Sequence, residues 1–216
     1  MTATPPQKTG TIFIVDDDAS FLRSLSRLLA AVGYSVEAYV SAHEFFARPG
    51  PDRPGCVVAD LQMPGINGLQ LQDMLRRSSN PLPVIFLTGQ GDIPTTVSAM
   101  RSGAEDFLTK RAPKEELLAA VERALERDTR ERQHRQRQQE LNGRLSGLSA
   151  REREVLSYVV QGKMNKEIAA DLQINLRTVK LHRTNLTRKL NIQSVAELTR
   201  LADETGLFKS PPAEPR

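Results

Sequence analysis

The sequence predicts two domains: a doubly wound, five-stranded parallel α/β sheet, then an all-α, four-helix domain containing a helix-turn-helix. Three observations carry that prediction. From residue 11 to 127, short apolar or β-branched runs alternate with amphipathic helical patterns, as expected of a parallel sheet with helices on both faces. From residue 148 onward only helical periodicity remains. Charge divides in the same place: residues 1–127 carry 13 Lys/Arg against 15 Asp/Glu, and residues 128–216 carry 17 against 11. An acidic half joined to a basic half predicts that only the second meets a polyanion. Nucleic acid is favoured over a membrane surface, because the basic half shows no amphipathic helix with bulky Trp or Phe anchors. No stretch approaches the roughly 20 apolar residues that span a bilayer, and Met1 to Lys8 has no signal-peptide core. The single cysteine, Cys56, cannot form an internal disulfide and is expected as a small core residue of a reducing, cytoplasmic protein.

Thr11-Ile12-Phe13-Ile14-Val15 reads as the first strand and stops at Asp16-Asp17-Asp18. Phe21, Leu22, Leu25, Leu28, Leu29 and Val32 recur at helical spacing, and Gly33 closes that helix. Val36 to Val40 is the second strand, with Ser41 capping a short helix that carries Phe45 and Phe46. Cys56-Val57-Val58-Ala59-Asp60, bounded by Pro54-Gly55 and Pro64-Gly65, reads as a buried third strand. A helix from Gly68 to Arg77 follows, with Leu69, Leu71, Met74 and Leu75 as its apolar set. Pro83 to Thr88 is the fourth strand, Pro94 to Arg101 a helix ended by Gly103, and Asp106 to Lys110 the fifth strand. Pro113 opens the last helix at a first-turn position, with Leu117, Leu118, Val121 and Leu125 as its apolar face.

Right-handed crossovers place every strand-end loop on one edge of such a sheet, where open α/β folds bind ligands. That edge gathers Asp16, Asp17, Asp60, Thr88 and Lys110. Alone, Asp60 is explained as well by a turn cap as by a reactive carboxylate. As a set, these residues form a carboxylate cluster facing one hydroxyl and one ammonium. Carboxylates held close repel unless a cation compensates, and a hard divalent ion, Mg²⁺, suits oxygen ligands. Asp60 is then poised as a nucleophile toward a phosphoryl donor, with Lys110 and Mg²⁺ neutralising the transferred group and Thr88 donating to one of its oxygens.

With these motifs in view, residues 11–127 resemble the receiver domain of two-component response regulators, which has a flavodoxin-like fold. The matching residues are the Asp16-Asp17 pair, Asp60-Leu61-Gln62-Met63-Pro64 with Gly68, Thr88-Gly89, and Asp106-Phe107-Leu108-Thr109-Lys110. The resemblance implies that Asp60 accepts phosphate from a sensor histidine kinase. It implies Mg²⁺ held directly by Asp17 and Asp60, by Asp16 through water, and by the Gln62 carbonyl. It makes Thr88 and Phe107 a switch pair, although Phe107 is equally well read as a plain core aromatic. Gln62 and Gln90 stand where the family tunes phosphoryl lifetime. Arg111 replaces the proline that usually follows the lysine. A non-proline cis bond costs about 2.5–4 kcal/mol, so the Lys110–Arg111 bond is expected trans, and the reach of Lys110 becomes a question for the structure.

Residues 126–140 contain good helix formers and no apolar residue, so they read as a solvated extension of the preceding helix or a charged tether, with His134 exposed. Asn142-Gly143 and Ser146-Gly147 are expected to break that pattern, giving a charged helical linker over 128–147 between a domain at 10–127 and another at 148–208. In the second domain, Ser149 and Glu152 have capping-box spacing before a helix that ends at Gly162. Asn165 to Leu172 is a second helix, Gln173-Ile174-Asn175 a tight turn, Leu176 to Leu190 a third helix and Val195 to Ala202 a fourth. On the third, Val179, Leu186 and Leu190 fall within roughly 40° and form a buried stripe. Arg177, Lys180, Leu181, Thr184 and Arg188 occupy a separate arc, suited to a DNA major groove: charges for phosphate or guanine, Leu181 for a thymine methyl. A solvated cationic face would account for the charges but less well for Leu181.

This segment resembles a LuxR-type helix-turn-helix domain through Leu148 to Leu156, Gly162, Asn165-Lys166-Glu167-Ile168-Ala169, Arg177-Thr178-Val179-Lys180, His182 and Lys189-Leu190. Met164 and Asn175 replace the usual serines, and Asn175 remains a competent N-cap. The two resemblances together imply a NarL/FixJ-class transcriptional regulator that binds double-stranded DNA as a homodimer when phosphorylated, with RNA polymerase as a further candidate partner. The rival regulator reading is phosphorylation-independent DNA binding with the receiver as a dimerisation module. An aspartyl-phosphate enzyme is disfavoured, because Gln62 occupies the position where such phosphatases carry their general acid.

Overall fold

Five strands, β1 (Thr11–Val15), β2 (Ser35–Tyr39), β3 (Gly55–Asp60), β4 (Val84–Thr88) and β5 (Asp106–Thr109), form one parallel sheet in the order β2-β1-β3-β4-β5. This computed structural model describes residues 8–48, 53–89 and 93–192, with 194, 197, 198, 200 and 201 beyond them. Five helices accompany the strands: α1 (Ala19–Ala31), α2 (Ala42–Ala47), α3 (Gly68–Arg76), α4 (Ile93–Arg101) and α5 (Lys114–Ser146). Because alternate residues of a strand face opposite sides, the sheet supplies two cores. Phe13, Val15, Val57, Ala59 and Phe86 pack on one face with Phe45 of α2 and Leu71 and Leu75 of α3. Ile12, Ile14, Cys56, Val58 and Ile85 pack on the other with Leu25 and Leu29 of α1 and Val121 of α5. Covered on both faces, the central strands need the continuous apolar runs that the sequence shows.

The order reverses between β1 and β3, and this reversal creates the crevice where parallel sheets bind ligands. In register, Val15 pairs with Ala59. The next residue on each strand, Asp16 and Asp60, therefore leaves the sheet side by side. Gly68 opens α3 directly against this point. A Cβ there would lie 2.5 Å from the Asp60 carbonyl oxygen, so only glycine lets the helix start so close to the strand end.

Several local expectations need correction. Val40 and Lys110 fall just outside β2 and β5, and Pro113 precedes α5, its carbonyl accepting from Glu116 and Leu117 N–H, instead of occupying the first turn. On α3, Met74 is 42% exposed while Gln72 is buried, its amide donating to the Ser102 carbonyl at 3.3 Å. A polar side chain with a bonded amide has displaced a flexible thioether from the buried stripe.

The largest correction concerns the linker. Of the two readings, the helical extension holds: α5 runs 33 residues without interruption, through Asn142-Gly143, and stops at Ser146. A helical glycine costs about 1 kcal/mol, an amount readily offset by burial of the flanking Leu141 and Leu145 in a third core, separate from the two of the sheet. Nor is the extension wholly solvated. Asp128 is buried, accepts the Gly55 N–H at 2.9 Å and pairs with Arg132 at 2.8 Å. Arg132 in turn donates to the Arg53 carbonyl at 2.8 Å. The chain divides into two compact units after Arg132, within α5.

The second unit contains α6 (Ala150–Val160), α7 (Asn165–Asp171) and α8 (Leu176–Leu190). Ser149 and Glu152 form the expected capping box. Gln173, at φ 53°, makes the left-handed turn between α7 and α8, and Asn175 caps α8 by accepting from Arg177 N–H at 2.8 Å. Half of the predicted fourth helix lies outside the described residues; of the rest, Leu198 and Leu201 are helical and buried with Ile168, Val179 and Leu186.

Candidate functional site

The switch-point crevice brings together four of the predicted residues. Oxygens of Asp16, Asp17 and Asp60 lie within 4.8 Å of one another; Asp17 is exposed and the other two are buried. Lys110 Nζ donates to Asp60 Oδ2 at 2.8 Å and stands 2.7 Å from Asp16 Oδ2 in an ion pair without hydrogen-bond geometry. All peptide bonds among the described residues are trans, so Lys110 reaches the carboxylates with Arg111, not a cis proline, behind it. Its backbone explains how. Lys110 N–H donates to the Thr88 carbonyl at 2.8 Å, tying the ends of β4 and β5 and launching the lysine toward β3.

The electrostatics fit a cation. Burial pushes the Asp16 carboxyl above its ordinary range, although Lys110 opposes the shift. Burial also acts to lower the Lys110 ammonium, but Asp16 and Asp60 outweigh it and leave that group raised. Asp16 Oδ2 has no hydrogen-bond partner despite its burial. Three oxygen donors, one of them buried with an ammonium as its sole neighbouring charge of opposite sign among the described residues and reluctant to ionise, are a set that a hard divalent ion would satisfy.

The remaining predicted residues surround this centre. Thr88 is buried at the end of β4. Gln62 is exposed, and its backbone N–H donates to Asp60 Oδ1 at 3.2 Å. Phe107 is half-buried against the first core, its ring centroid 6.3 Å from that of Phe86. Gln90 lies outside the described residues. The third carboxylate of the run, Asp18, belongs to the helix: it caps α1, accepting from Ser20 and Phe21 N–H, and these bonds hold its carboxyl below the ordinary range. Sequence reasoning missed Phe21, placing it in the apolar face of α1. Its ring lies 4.6 Å from Lys110 Nζ. Helical spacing signals an apolar residue there but not which cation it meets.

In the second unit, α8 separates its faces as predicted. Val179, Leu186 and Leu190 are buried, whereas Arg177, Lys180, Leu181, Thr184 and Arg188 are all exposed. Leu181 is 58% exposed. The Thr184 hydroxyl donates to the Lys180 carbonyl at 3.0 Å, which leaves its oxygen lone pairs outward. The non-predicted Arg183 donates to Asn165 at 2.7 Å, fastening α8 to α7. His182 is half-buried.

Residues 12–122 match the family described as the response regulator receiver domain, and residues 146–202 match the luxR family of bacterial regulatory proteins. Response regulator protein TodT of Pseudomonas putida is 39% identical over 196 residues, covering 91% of this chain and 86% of the relative. Transcriptional regulatory protein FixJ of Bradyrhizobium diazoefficiens is 37% identical over 200 residues, covering 92% and 97%. Among solved structures, response regulator StyR matches with a TM-score of 0.82 at 41% identity, over 91% of this chain and all of that one.

Proposed function

The chain belongs to the two-component response regulators of the NarL/FixJ class, and on that premise we propose that phosphorylation of Asp60 controls its binding to DNA. The observation that carries this reading is the placement of Asp60 beside Lys110, Asp16 and Asp17 at the switch point of the sheet.

In the proposed reaction, a sensor histidine kinase presents a phosphohistidine. An Asp60 oxygen forms a bond to phosphorus as the phosphorus–nitrogen bond breaks, and the departing imidazole keeps the electron pair and takes a proton from solvent. The product is an acyl phosphate. Lys110 neutralises charge on the transferred oxygens, and Thr88 donates its hydroxyl to one of them. Mg²⁺, when bound, supplies further charge neutralisation; Asp17 and Asp60 would hold it directly, Asp16 through water, with the Gln62 carbonyl completing the set. Movement of Thr88 toward the phosphoryl group leaves space for Phe107 to turn inward, which alters the α4–β5 surface and favours a homodimer. The exposed face of α8 enters the major groove, with Lys180, Leu181 and Thr184 toward bases and Arg177 and Arg188 toward phosphates. Among the described residues no helix is long and apolar enough to cross a membrane. Action on DNA places the protein in the cytoplasm.

The test compares the parent chain with Asp60→Asn. Acetyl phosphate with Mg²⁺ should retard the parent on a phosphate-affinity gel and leave the variant unmoved. Beryllofluoride should tighten DNA binding by the parent alone. Unchanged affinity would favour a regulator that binds DNA without phosphorylation.

A further inference from the structure

Lys110 has to deliver its charge to a phosphoryl group that arrives from solvent, yet the usual proline behind it is missing. The residues following it form a turn in which Ala112 N–H donates to the Thr109 carbonyl at 2.9 Å. The lysine stem borders a hollow of about 180 Å³ that it shares with Phe21, Leu25, Leu28, Leu87 and Leu117. The aromatic member of that lining also reaches the ammonium. The Phe21 ring centroid lies 4.6 Å from Nζ, and the Lys110 side chain is only 19% exposed.

The ring is itself tied to the acidic cluster. Asp16 Oδ1 accepts from Asp18 N–H at 2.9 Å, and Asp18 Oδ1 accepts from Phe21 N–H at 3.1 Å. With Asp16 Oδ2 at 2.7 Å from Nζ, the circuit closes. The base of the ring, the ammonium and the carboxylate are thus held in a single loop of contacts. An aromatic face attracts a cation but offers no in-plane lone pair. It steadies the ammonium without competing with phosphoryl oxygens for its N–H donors. When Asp60 becomes an acyl phosphate, its charge moves outward onto the new oxygens. A lysine gripped only by carboxylates would remain with Asp16; one also backed by a ring can change partners while keeping its place.

We propose that Phe21 is a positioning residue for phosphoryl transfer, its ring face holding Lys110 over the cluster. This rests on Asp60 being the phosphoacceptor. The test places mono-, di- and trifluorinated phenylalanine at position 21, alongside Phe21→Leu and Phe21→Tyr. The first readout is the rate of Asp60 phosphorylation by acetyl phosphate with Mg²⁺. The second is the ring-current shift of the Lys110 ε-methylene protons in the phosphate-free protein. Fluorination preserves shape while draining the ring face, so the rate should fall in steps, to about one fifth in the trifluorinated chain. Leucine should be comparably slow, tyrosine near the parent, and the upfield Lys110 shift should disappear only in Phe21→Leu. A flat rate across the fluorinated series, with an active parent, overturns the role of Phe21, as does an unshifted Lys110 resonance in the parent. The fluorinated chains keep the test valid even if Phe21→Leu folds poorly. A parent that is never phosphorylated but retains the ring-current shift overturns both readings, and the intact shift traces that failure to Asp60.

Discussion

Glu152 joins two ends of the second unit through one buried carboxylate. Its Oε2 accepts from Ser149 N–H at 2.8 Å and from Lys189 Nζ at 2.7 Å, linking the start of α6 to the end of α8. Lys189 first, then the Ser149 backbone, holds the Glu152 carboxyl below its ordinary value of 4.5. A carboxyl lowered by folding contributes its full stability above the unfolded value and loses it as pH falls through the folded one. The thermal stability of the second unit should therefore decline progressively below pH 4.5. Glu152→Gln should unfold earlier at neutral pH and show a shallower acid dependence; equal slopes for the two chains would contradict the assignment. Half of this arrangement was legible: the Ser149–Glu152 spacing announces a capping box, but nothing local connects Glu152 to a lysine 37 residues away. Asp60 and Phe21 divide in the same manner. Asp60 could be read because strand ends converge by topology, whereas the partner of Phe21 depends on a loop geometry that periodicity does not encode.

At the scale of elements, α8 shows what a helical repeat can specify. Its buried stripe and basic arc follow from 100° per residue, and both appear where expected. If Arg177 and Arg188 bind phosphates, replacing either with alanine should weaken binding to all DNA sequences alike and reduce the salt slope by about 1. Lys180→Ala should instead relax sequence preference, at a cost of about 1–3 kcal/mol at the preferred base. Competition titrations at several salt concentrations separate these outcomes. Helix α5 shows the opposite limit. A polar run with two glycine-containing dipeptides reads equally as a solvated helical extension or a charged tether, because propensity sums only local terms. The residues that decide the matter are Asp128, bonded to the distant Gly55, and Leu141 and Leu145, buried in the core of the second unit.

Across the whole molecule, the doubly wound parallel sheet and the two-unit division follow from the alternation of apolar runs and the change in periodicity. The charge division also has a physical consequence. The basic half concentrates attraction for a polyanion, while the acidic half is repelled by it except where a cation fills its cluster. Element boundaries were less legible, generally by a residue or so, since the last residue of a strand is fixed by ladder bonds and not by composition.

The Asp128 contact also determines where this chain can be cut. Residue 127 is the natural place to end the first unit by sequence, and a fragment ending there would lack Asp128 and Arg132. Gly55 N–H would lose its acceptor at the first residue of β3, the strand that carries Asp60 at its other end. No side chain introduced at position 55 can make up the loss, since a Cβ there would lie 2.1 Å from the Thr11 carbonyl oxygen. The fragment should unfold about 1–3 kcal/mol more easily than one extended past Arg132, and Asp128→Ala in the longer fragment should reproduce the deficit, as denaturant melts of the three would reveal. The first turns of the apparent linker thus form part of the minimal receiver unit, and a cut after residue 127 would remove the carboxylate that holds the first N–H of β3.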